Sequence, residues 1–180
     1  MNANEIAATT QMTRAWNSSK LGVLGGVLGG VLLVDLVTKL LVQRTFHLYQ
    51  QVNVIGDYVR LTYIVNPGAA FGITLGPPGA SRYIFLVLSL IALAALAAMY
   101  WVTPAKDKVR LSSIALICGG ALGNLLDRLR SHQGVVDFLD IGVGDLRWPV
   151  FNVADIAVTT GAIFLALSLW REEQQVDRDR

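Results

Sequence analysis

Long apolar blocks separated by shorter polar stretches dominate the chain. Four of these blocks are long enough to cross the hydrocarbon core of a bilayer, which takes about 20 helical residues. The first block is longer than the apolar core of a signal peptide, and no small-residue cleavage pattern follows it, so an uncleaved anchor is favoured over a cleaved leader. We therefore predict a membrane all-α bundle of four transmembrane helices. The helices are placed at about 21–42, 83–102, 109–126 and 150–170.

The connection between the first two helices, residues 43–82, is too long for a tight turn. Within it, residues 51–55 and 58–65 alternate apolar and polar side chains and are rich in β-branched and aromatic types. Such alternation is typical of strands with one wet face, and Gly56-Asp57 between them fits a turn. We predict a small extracytoplasmic β-sheet cradle, resting on the outer membrane surface.

Composition agrees with a membrane protein. Of the 180 residues, 53% are hydrophobic and only 16% are charged, whereas soluble domains carry about a quarter charged residues. The net charge of +2, without a basic run, gives no reason to expect a nucleic-acid partner. The single cysteine, Cys118, excludes an intrachain disulfide.

The positions of lysine and arginine predict the orientation, because these residues concentrate on the cytoplasmic side. Three segments carry them densely: the N-terminal segment 1–20, the connection between the second and third helices, and the tail 171–180. An even number of spans places all three on one side, which we assign as cytoplasmic. Segments 43–82 and 127–149 are then extracytoplasmic, and residues 21–170 form the membrane domain. The basic residues are Arg14, Lys20, Lys106, Lys108, Arg110, Arg171, Arg178 and Arg180.

Glycines recur every four residues in the first helix. Such small-residue spacing allows two helices to approach closely in lipid. We interpret the repeat as a helix-packing surface rather than a catalytic feature. The series are Gly22, Gly26 and Gly30, and Gly25 and Gly29.

Polar side chains at membrane depth are costly and usually functional. Asp35 and Lys39 lie four residues apart and share a helix face; they are either a mutually neutralising pair or part of a site. Asn124 and Asp127 share a face at the outer end of the third helix, behind a glycine-rich stretch. The alternative there is simple helix termination, with an ion pair between Asp127 and Arg128.

Two further acids follow in the sequence. Asp137 lies in the apolar tetrad Val-Val-Asp-Phe just after the third helix, and Asn152 and Asp155 open the fourth helix three residues apart. Asn152 could be a plain N-cap, with Asp155 favoured by the helix dipole. By topology, these acids and Asp127 fall at the same outward membrane level, and Asp35 joins them.

Clustered carboxylates in an apolar setting favour specific chemistry. Two close acids cannot both ionise cheaply, so one retains a proton that can polarise a carbonyl while the other deprotonates water. His47 and His132 are not in a ligand-spaced pair, so zinc is disfavoured; an all-oxygen magnesium or calcium site stays open. A serine nucleophile has no supporting motif.

The chain resembles the lipoprotein signal peptidases, or signal peptidase II, of bacterial inner membranes from about residue 21 to residue 170. Five motifs in order carry the resemblance. They are Asp35-Leu36-Val37-Thr38-Lys39, Asn66…Gly68-Ala69-Ala70-Phe71, Gly119-Gly120-Ala121-Leu122-Gly123-Asn124-Leu125-Leu126-Asp127-Arg128, Val135-Val136-Asp137-Phe138 and Phe151-Asn152-Val153-Ala154-Asp155.

The resemblance implies an aspartic endopeptidase that cuts diacylglyceryl-modified prolipoproteins just before the lipidated cysteine, without a metal or cofactor. It implies a dyad of Asp137 and Asp155, with Asp127 as a competitor for the first role. It also implies an inner-membrane location with the site at the periplasmic face, contact with membrane lipids, and peptide-like inhibitors such as globomycin. The implied substrate-binding or supporting residues are Asp35, Lys39, Asn66, Gly120, Asn124, Asp127, Arg128, Asn152 and Ala154.

One position departs from the family pattern. Pro67 stands where the family commonly has threonine, and proline lacks a backbone donor, which puts a substrate hydrogen bond from that position in doubt.

Two other classes of function are alternatives to a peptidase. A proton-coupled carrier predicts charges near the bilayer midplane and repeated halves, and a lipid-anchored assembly factor has no need of paired Asn-x-x-Asp elements.

Overall fold

The computed structural model describes the backbone of residues 3–68, 73–77 and 79–178, with the side chains of residues 18 onward in those ranges except residue 176. Within this part, four helices are long and apolar enough to cross a membrane, which confirms the predicted bundle. The helices are α1 (Ala3–Thr45), α2 (Ala80–Val102), α3 (Lys108–Arg130) and α4 (Val153–Arg178).

Helix boundaries differ from the predicted ones mainly at polar ends. Helix α1 continues back through the predicted cytoplasmic segment 1–20 to Ala3, since that segment has no glycine or proline to stop it. Helix α3 runs to Arg130 instead of residue 126, so Asp127 and Arg128 belong to its last turns. Which side of the membrane each segment occupies stays a prediction.

The extramembrane segments form one four-stranded antiparallel sheet in the order β1-β2-β3-β4. The predicted cradle is confirmed for β1 and β2, but half of the sheet comes from the second connection, where we predicted no strand. Edge strand β1 is exposed along its whole length, so the expected buried face is missing there. The strands are β1 (Gln51–Ile55), β2 (Val59–Asn66), β3 (Val135–Val143) and β4 (Leu146–Arg147).

The register of β2 against β3 makes Asn66 and Asp137 diagonal neighbours on adjacent strands. Ile64 pairs with Asp137, and Asn66 pairs with Val135. Gly134 precedes β3 with φ of 125°, and a Cβ there would lie 2.0 Å from the Asn66 carbonyl oxygen. Glycine therefore allows the start of β3 to approach the end of β2.

Helix α3 lies at the centre of the bundle and packs against α4, α1 and α2. Its buried side chains include Leu111, Ile114 and Ala115. A Cβ on Gly120 would lie 2.3 Å from the Ala154 carbonyl oxygen, which leaves no room for any other residue. The glycine-rich part of α3 is therefore what brings α4 close, as its sequence suggested.

The glycine repeat of α1 has a different environment. A Cβ on Gly22, Gly25, Gly26, Gly29 or Gly30 would meet no atom of the described chain within 4 Å. The repeat therefore packs against no described element of this chain, and helix packing through it stays a prediction. The close contact between α1 and α3 uses Gly119 instead, where a Cβ would lie 2.9 Å from the Val31 side chain.

The three segments predicted to share one side of the membrane meet at the same end of the bundle. Lys20 Nζ donates to the Trp101 carbonyl oxygen at 2.6 Å, which joins α1 to the end of α2. Arg110 at the start of α3 forms an ion pair of 2.7 Å with Glu172 near the end of α4. The acids of interest lie at the opposite end.

Candidate active site

Side chains from three helices and two strands converge where the helices meet the sheet. Helix α1 contributes an acid and a lysine, α3 contributes an amide, an acid and an arginine, and the start of α4 contributes an amide and an acid. Strand β2 ends at an asparagine, and β3 carries the remaining acid. All the side chains that the sequence nominated are brought together: Asp35, Lys39, Asn66, Asn124, Asp127, Arg128, Asp137, Asn152 and Asp155.

Lys39 organises one half of this cluster. Its ammonium lies 2.8 Å from Asp35 Oδ2, 2.8 Å from Asp127 Oδ2 and 3.0 Å from Asn124 Oδ1. Three acceptors match the three N–H groups of a lysine ammonium. Asp127 is therefore paired with Lys39 and forms no ion pair with the adjacent Arg128, so the alternative of an ion pair between Asp127 and Arg128 is wrong. The pair of Asp35 and Lys39 on one helix face is confirmed.

Asp35 also accepts a hydrogen bond from the backbone at the start of α4. The Ala154 backbone N–H, in the first turn of that helix, donates to Asp35 Oδ1 at 2.9 Å. Free N–H groups at a helix N-terminus favour a negative partner. A Cβ on Gly123 would lie 2.5 Å from Asp35 Oδ2, so glycine at this position makes room for the buried carboxylate.

Asp127 and Arg128 tie neighbouring segments to the end of α3. The Val136 backbone N–H donates to Asp127 Oδ2 at 3.3 Å, which holds the residue next to Asp137. Arg128 donates from Nη1 to the Asn124 carbonyl oxygen at 3.2 Å and from Nη2 to the Gly68 carbonyl oxygen at 2.9 Å. The sequence could not indicate the Gly68 acceptor, since it comes from a distant segment.

Asn152 caps α4 and also connects two acids. Its Oδ1 accepts the Asp155 backbone N–H at 3.0 Å, and Asp155 Oδ2 accepts the Asn152 N–H at 3.1 Å, which is a reciprocal capping box. The N-cap alternative is thus geometrically correct. It does not exclude a site, because Asn152 Nδ2 also donates to Asp137 Oδ1 at 2.7 Å and to Asn124 Oδ1 at 3.1 Å.

Asp137 is 2% exposed and has amides as its side-chain partners. Asn152 contacts one carboxyl oxygen, and Asn66 Nδ2 donates to the other at 3.1 Å. Within the described chain, no lysine or arginine forms an ion pair with it. Burial, and next the charge of Asp155, raise the pKa of Asp137 to about 7, against an ordinary value near 3.9.

Asp155 lies across Asn152 from Asp137 and likewise has only amide donors among the described contacts. Asn124 Nδ2 donates to Asp155 Oδ1 at 2.9 Å. Asn124 therefore faces both halves of the cluster, since its Oδ1 accepts from Lys39 while its Nδ2 donates to Asp155. Asp137 and Asp155 therefore share a network of neutral hydrogen-bond donors.

The turn after β2 accommodates the unusual proline. Asn66 Oδ1 accepts the Gly68 N–H at 2.9 Å, which closes an Asx-type turn over Pro67. The same asparagine directs its Nδ2 to Asp137, so the loss of a donor at Pro67 leaves the Asn66 contacts intact. The rest of the quoted motif, Ala69 to Phe71, lies outside the described residues.

A cavity of about 500 Å³ opens beside the two amide-bound acids. One end is polar, and the remaining wall is apolar and runs along α4. The sequence missed this wall, although the apolar run before Asn152 was a signal for it. The wall includes Val135, Trp148, Pro149, Val150, Phe151, Ile156 and Val158. Among the described residues, no group of three or more His, Cys, Asp or Glu side chains is placed to hold a metal ion.

Comparison with known proteins identifies the family of this chain. The sequence model described as signal peptidase (SPase) II matches residues 27–171. The chain belongs to the signal peptidase II family, whose members are peptidases. It is 43% identical over 147 residues to the lipoprotein signal peptidase of Halothermothrix orenii, covering 82% of this chain and 94% of that relative.

Other relatives agree in sequence and in fold. The lipoprotein signal peptidase of Photorhabdus laumondii is 45% identical over 132 residues, which is 73% of this chain and 78% of that protein. A bacterial membrane enzyme solved by the in meso method at 2.3 Å superposes with a TM-score of 0.77 and 29% identity, over 86% of this chain and 91% of that one. Membership of a peptidase family sets aside the carrier and assembly-factor hypotheses.

Proposed function

We propose that the chain removes signal peptides from diacylglyceryl-modified prolipoproteins, cutting just before the lipidated cysteine with Asp137 and Asp155 as a catalytic dyad. One observation carries the proposal: these two acids meet across Asn152 without a bound cation, whereas Asp35 and Asp127 share Lys39. A dyad needs one proton between two carboxyls, and a lysine between them removes the need for it.

The first step uses the two acids in opposite states. Asp155 is the ionised partner and takes a proton from a water molecule as the water oxygen attacks the scissile carbonyl carbon. Asp137 is the protonated partner and gives its proton to the carbonyl oxygen. The pKa of Asp137, raised to about 7, supports this assignment, because a carboxyl with that value keeps its proton near neutral pH.

The second step returns both acids to their starting states. The tetrahedral intermediate loses a proton to Asp137 as its carbonyl re-forms and the carbon–nitrogen bond breaks. The departing amine nitrogen takes the proton that Asp155 received from water. The products are the signal peptide with a new carboxyl terminus and the lipidated cysteine with a free amine.

The other polar residues position the dyad. Asn66, Asn124 and Asn152 hold the carboxyl groups by neutral hydrogen bonds. Asp35 and Lys39 fix the start of α4 and the end of α3, with Gly120 and Ala154 allowing the two helices to touch. Arg128 holds Gly68, at the turn next to the cavity.

We place the chain in the bacterial inner membrane with the dyad at the periplasmic face. The basic ends of the helices, at the end of the bundle away from the acids, support a cytoplasmic assignment for that end. A lipid-modified substrate would reach the cavity from the outer leaflet. Membrane lipids and peptide-like inhibitors such as globomycin are proposed partners because the family resemblance implies them.

Cleavage of a synthetic diacylglyceryl precursor by purified protein tests the proposal. Asp137→Asn and Asp155→Asn should each lower kcat/KM by about 10²- to 10⁴-fold, as expected for loss of an acid or a base. Asp140→Asn is a matched control, because Asp140 is a buried acid of the same strand that pairs with Arg147 at 2.6 Å. Its activity should stay within a few-fold.

Mass spectrometry of the products locates the cut. Cleavage at the bond before the lipidated cysteine is expected, and a precursor with an unmodified cysteine should stay intact. Cleavage by Asp137→Asn at the normal rate, with Asp127→Asn inactive, would transfer the role to Asp127.

A further inference from the structure

The main cavity extends past the two acids along α4. Thr159 and Thr160 line its far part, four and five residues after Asp155. At 1.5 Å of rise per residue, they lie about 6–8 Å farther along the helix, toward the membrane interior. Among the described residues that line this cavity, they are the only hydroxyl side chains.

Both hydroxyls are available to a ligand. Hydroxyls in membrane helices often donate to the carbonyl one turn earlier, as Thr38 does to Val34 and Ser113 to Val109, each at 2.7 Å. Thr159 and Thr160 make no such bond with any residue of the described chain. Thr159 is exposed and Thr160 is half-buried, so both can reach a molecule in the cavity.

The surroundings of the two threonines are apolar. Ile156 and Val158 lie beside them on α4, and Val150 and Phe151 come from the segment before the helix. Hydrocarbon chains offer no hydrogen-bond acceptor, so an unsatisfied donor in lipid is unfavourable. A ligand suited to this part of the cavity is therefore apolar and carries acceptors without donors.

Resting on the function proposed above, we propose that Thr159 and Thr160 donate hydrogen bonds to the ester carbonyl oxygens of the diacylglyceryl group on the substrate cysteine. That cysteine follows the bond that is cut, and, counted from its nitrogen, the two ester carbonyl oxygens of the diacylglyceryl group lie eight and nine bonds away, which is roughly 10 Å when extended. The rise of about 6–8 Å from Asp155 to the two threonines lies within this reach.

Ester carbonyls accept hydrogen bonds and lie where a lipid meets the hydrocarbon core. The threonine pair therefore recognises the lipid through its ester groups, while the apolar wall takes the start of the acyl chains. A dialkyl ether lipid of the same shape lacks both carbonyl oxygens, and it separates recognition of the esters from recognition of apolar bulk.

The test compares a diacyl ester precursor with its dialkyl ether counterpart. The double variant Thr159→Val/Thr160→Val keeps the shape of both side chains and removes both donors. We expect kcat/KM on the ester substrate to fall about tenfold, as for the loss of one or two neutral hydrogen bonds. On the ether substrate, wild type and variant should be equal. Thr45→Val, whose hydroxyl contacts the Leu41 carbonyl oxygen of its own helix, is the matched control.

A binding measurement in the Asp137→Asn background gives a readout without catalysis. Polarisation of a labelled ester lipopeptide should show an affinity about tenfold weaker with the two valines, and the ether lipopeptide should show no change. An equal loss on both lipids, or no loss on either, would overturn the role of the threonines. Failure of the proposed function is different: the wild type would then bind these lipids but cleave neither precursor.

Discussion

Two pairs of aspartates lie within one polar cluster, and their partners differ. Asp35 and Asp127 both contact the Lys39 ammonium at 2.8 Å. Asp137 and Asp155 instead share Asn152, with Asn66 and Asn124 as further donors. The first pair shares a cation that offsets part of its charge, and the second pair has hydrogen bonds but no cation in contact.

This difference shows how one residue type serves two purposes. Two unit charges 4 Å apart interact by about 4 kcal/mol at an effective dielectric constant of 20, so a shared lysine makes two buried carboxylates tolerable. Amide donors supply less, and a buried acid beside another acid then keeps a proton. The cation-bound pair stabilises the fold, and we infer that the amide-bound pair is the one available for chemistry.

The largest expected effect is a loss of activity without a loss of stability when Asp137 is replaced. Asp137→Asn should lower kcat/KM by about 10²- to 10⁴-fold without lowering the thermal unfolding temperature in detergent. Stability at pH 8 should even rise, because the variant removes a buried carboxyl that ionises there. A large loss of stability would make Asp137 a structural residue like Asp35.

Replacement of Lys39 should instead lower the stability of the fold. Lys39→Met leaves two buried carboxylates without a cation, and breaking such a buried pair costs about 3–5 kcal/mol of folding free energy. Chemical denaturation in detergent measures this loss. Unchanged stability would mean that the Lys39 contacts contribute no net stabilisation.

The sequence predicted the four spans and all of the polar residues of the cluster, because length, hydropathy and spacing along one helix are local properties. Asp35 and Lys39 could be paired in this way, since they are four residues apart. The partner of Asp127 could not, because Lys39 comes from another helix, and the neighbouring Arg128 was the misleading local choice.

The glycines also show that spacing along one helix does not indicate which element a residue contacts. Those of α1 and α3 have similar spacing, yet only the α3 glycines meet a neighbouring element. Strand β3 was missed for a related reason. Its apolar run, flanked by Gly134 and Gly144, is a fair strand signal. We interpreted its first acid, Asp137, by its chemistry, and the pairing with β2 is a long-range contact.

A methyl group next to the cation-bound pair should have a moderate effect. Gly123→Ala would place a Cβ 2.5 Å from Asp35 Oδ2, and overpacking of this kind costs about 1–3 kcal/mol. Gly26→Ala, where a Cβ meets nothing within 4 Å, is the control and should be neutral or slightly stabilising. Equal stabilities for the two variants would show that Asp35 moves aside freely.

The smallest expected effect is a shift in pH dependence. Because the pKa of Asp137 is about 7, activity should fall as the pH rises through that value and the proton is lost. The stability that the raised pKa contributes is present below about pH 4 and lost through pH 7. The Asn66 hydrogen bond lowers this pKa, so Asn66→Ala should move the basic limb of kcat/KM upward. A downward shift would mean that water entering the site outweighs the lost bond.

The most direct measurement is a titration of the Asp137 carboxyl itself. Carbon-13 NMR of aspartate-labelled protein in detergent, with Asp137→Asn to assign the signal, follows its ionisation against pH. We expect a midpoint near 7 that falls in Asp155→Asn, because the neighbouring charge contributes to the shift. A midpoint near the ordinary value of about 3.9, or one that Asp155→Asn leaves unchanged, would contradict a proton shared between the two acids.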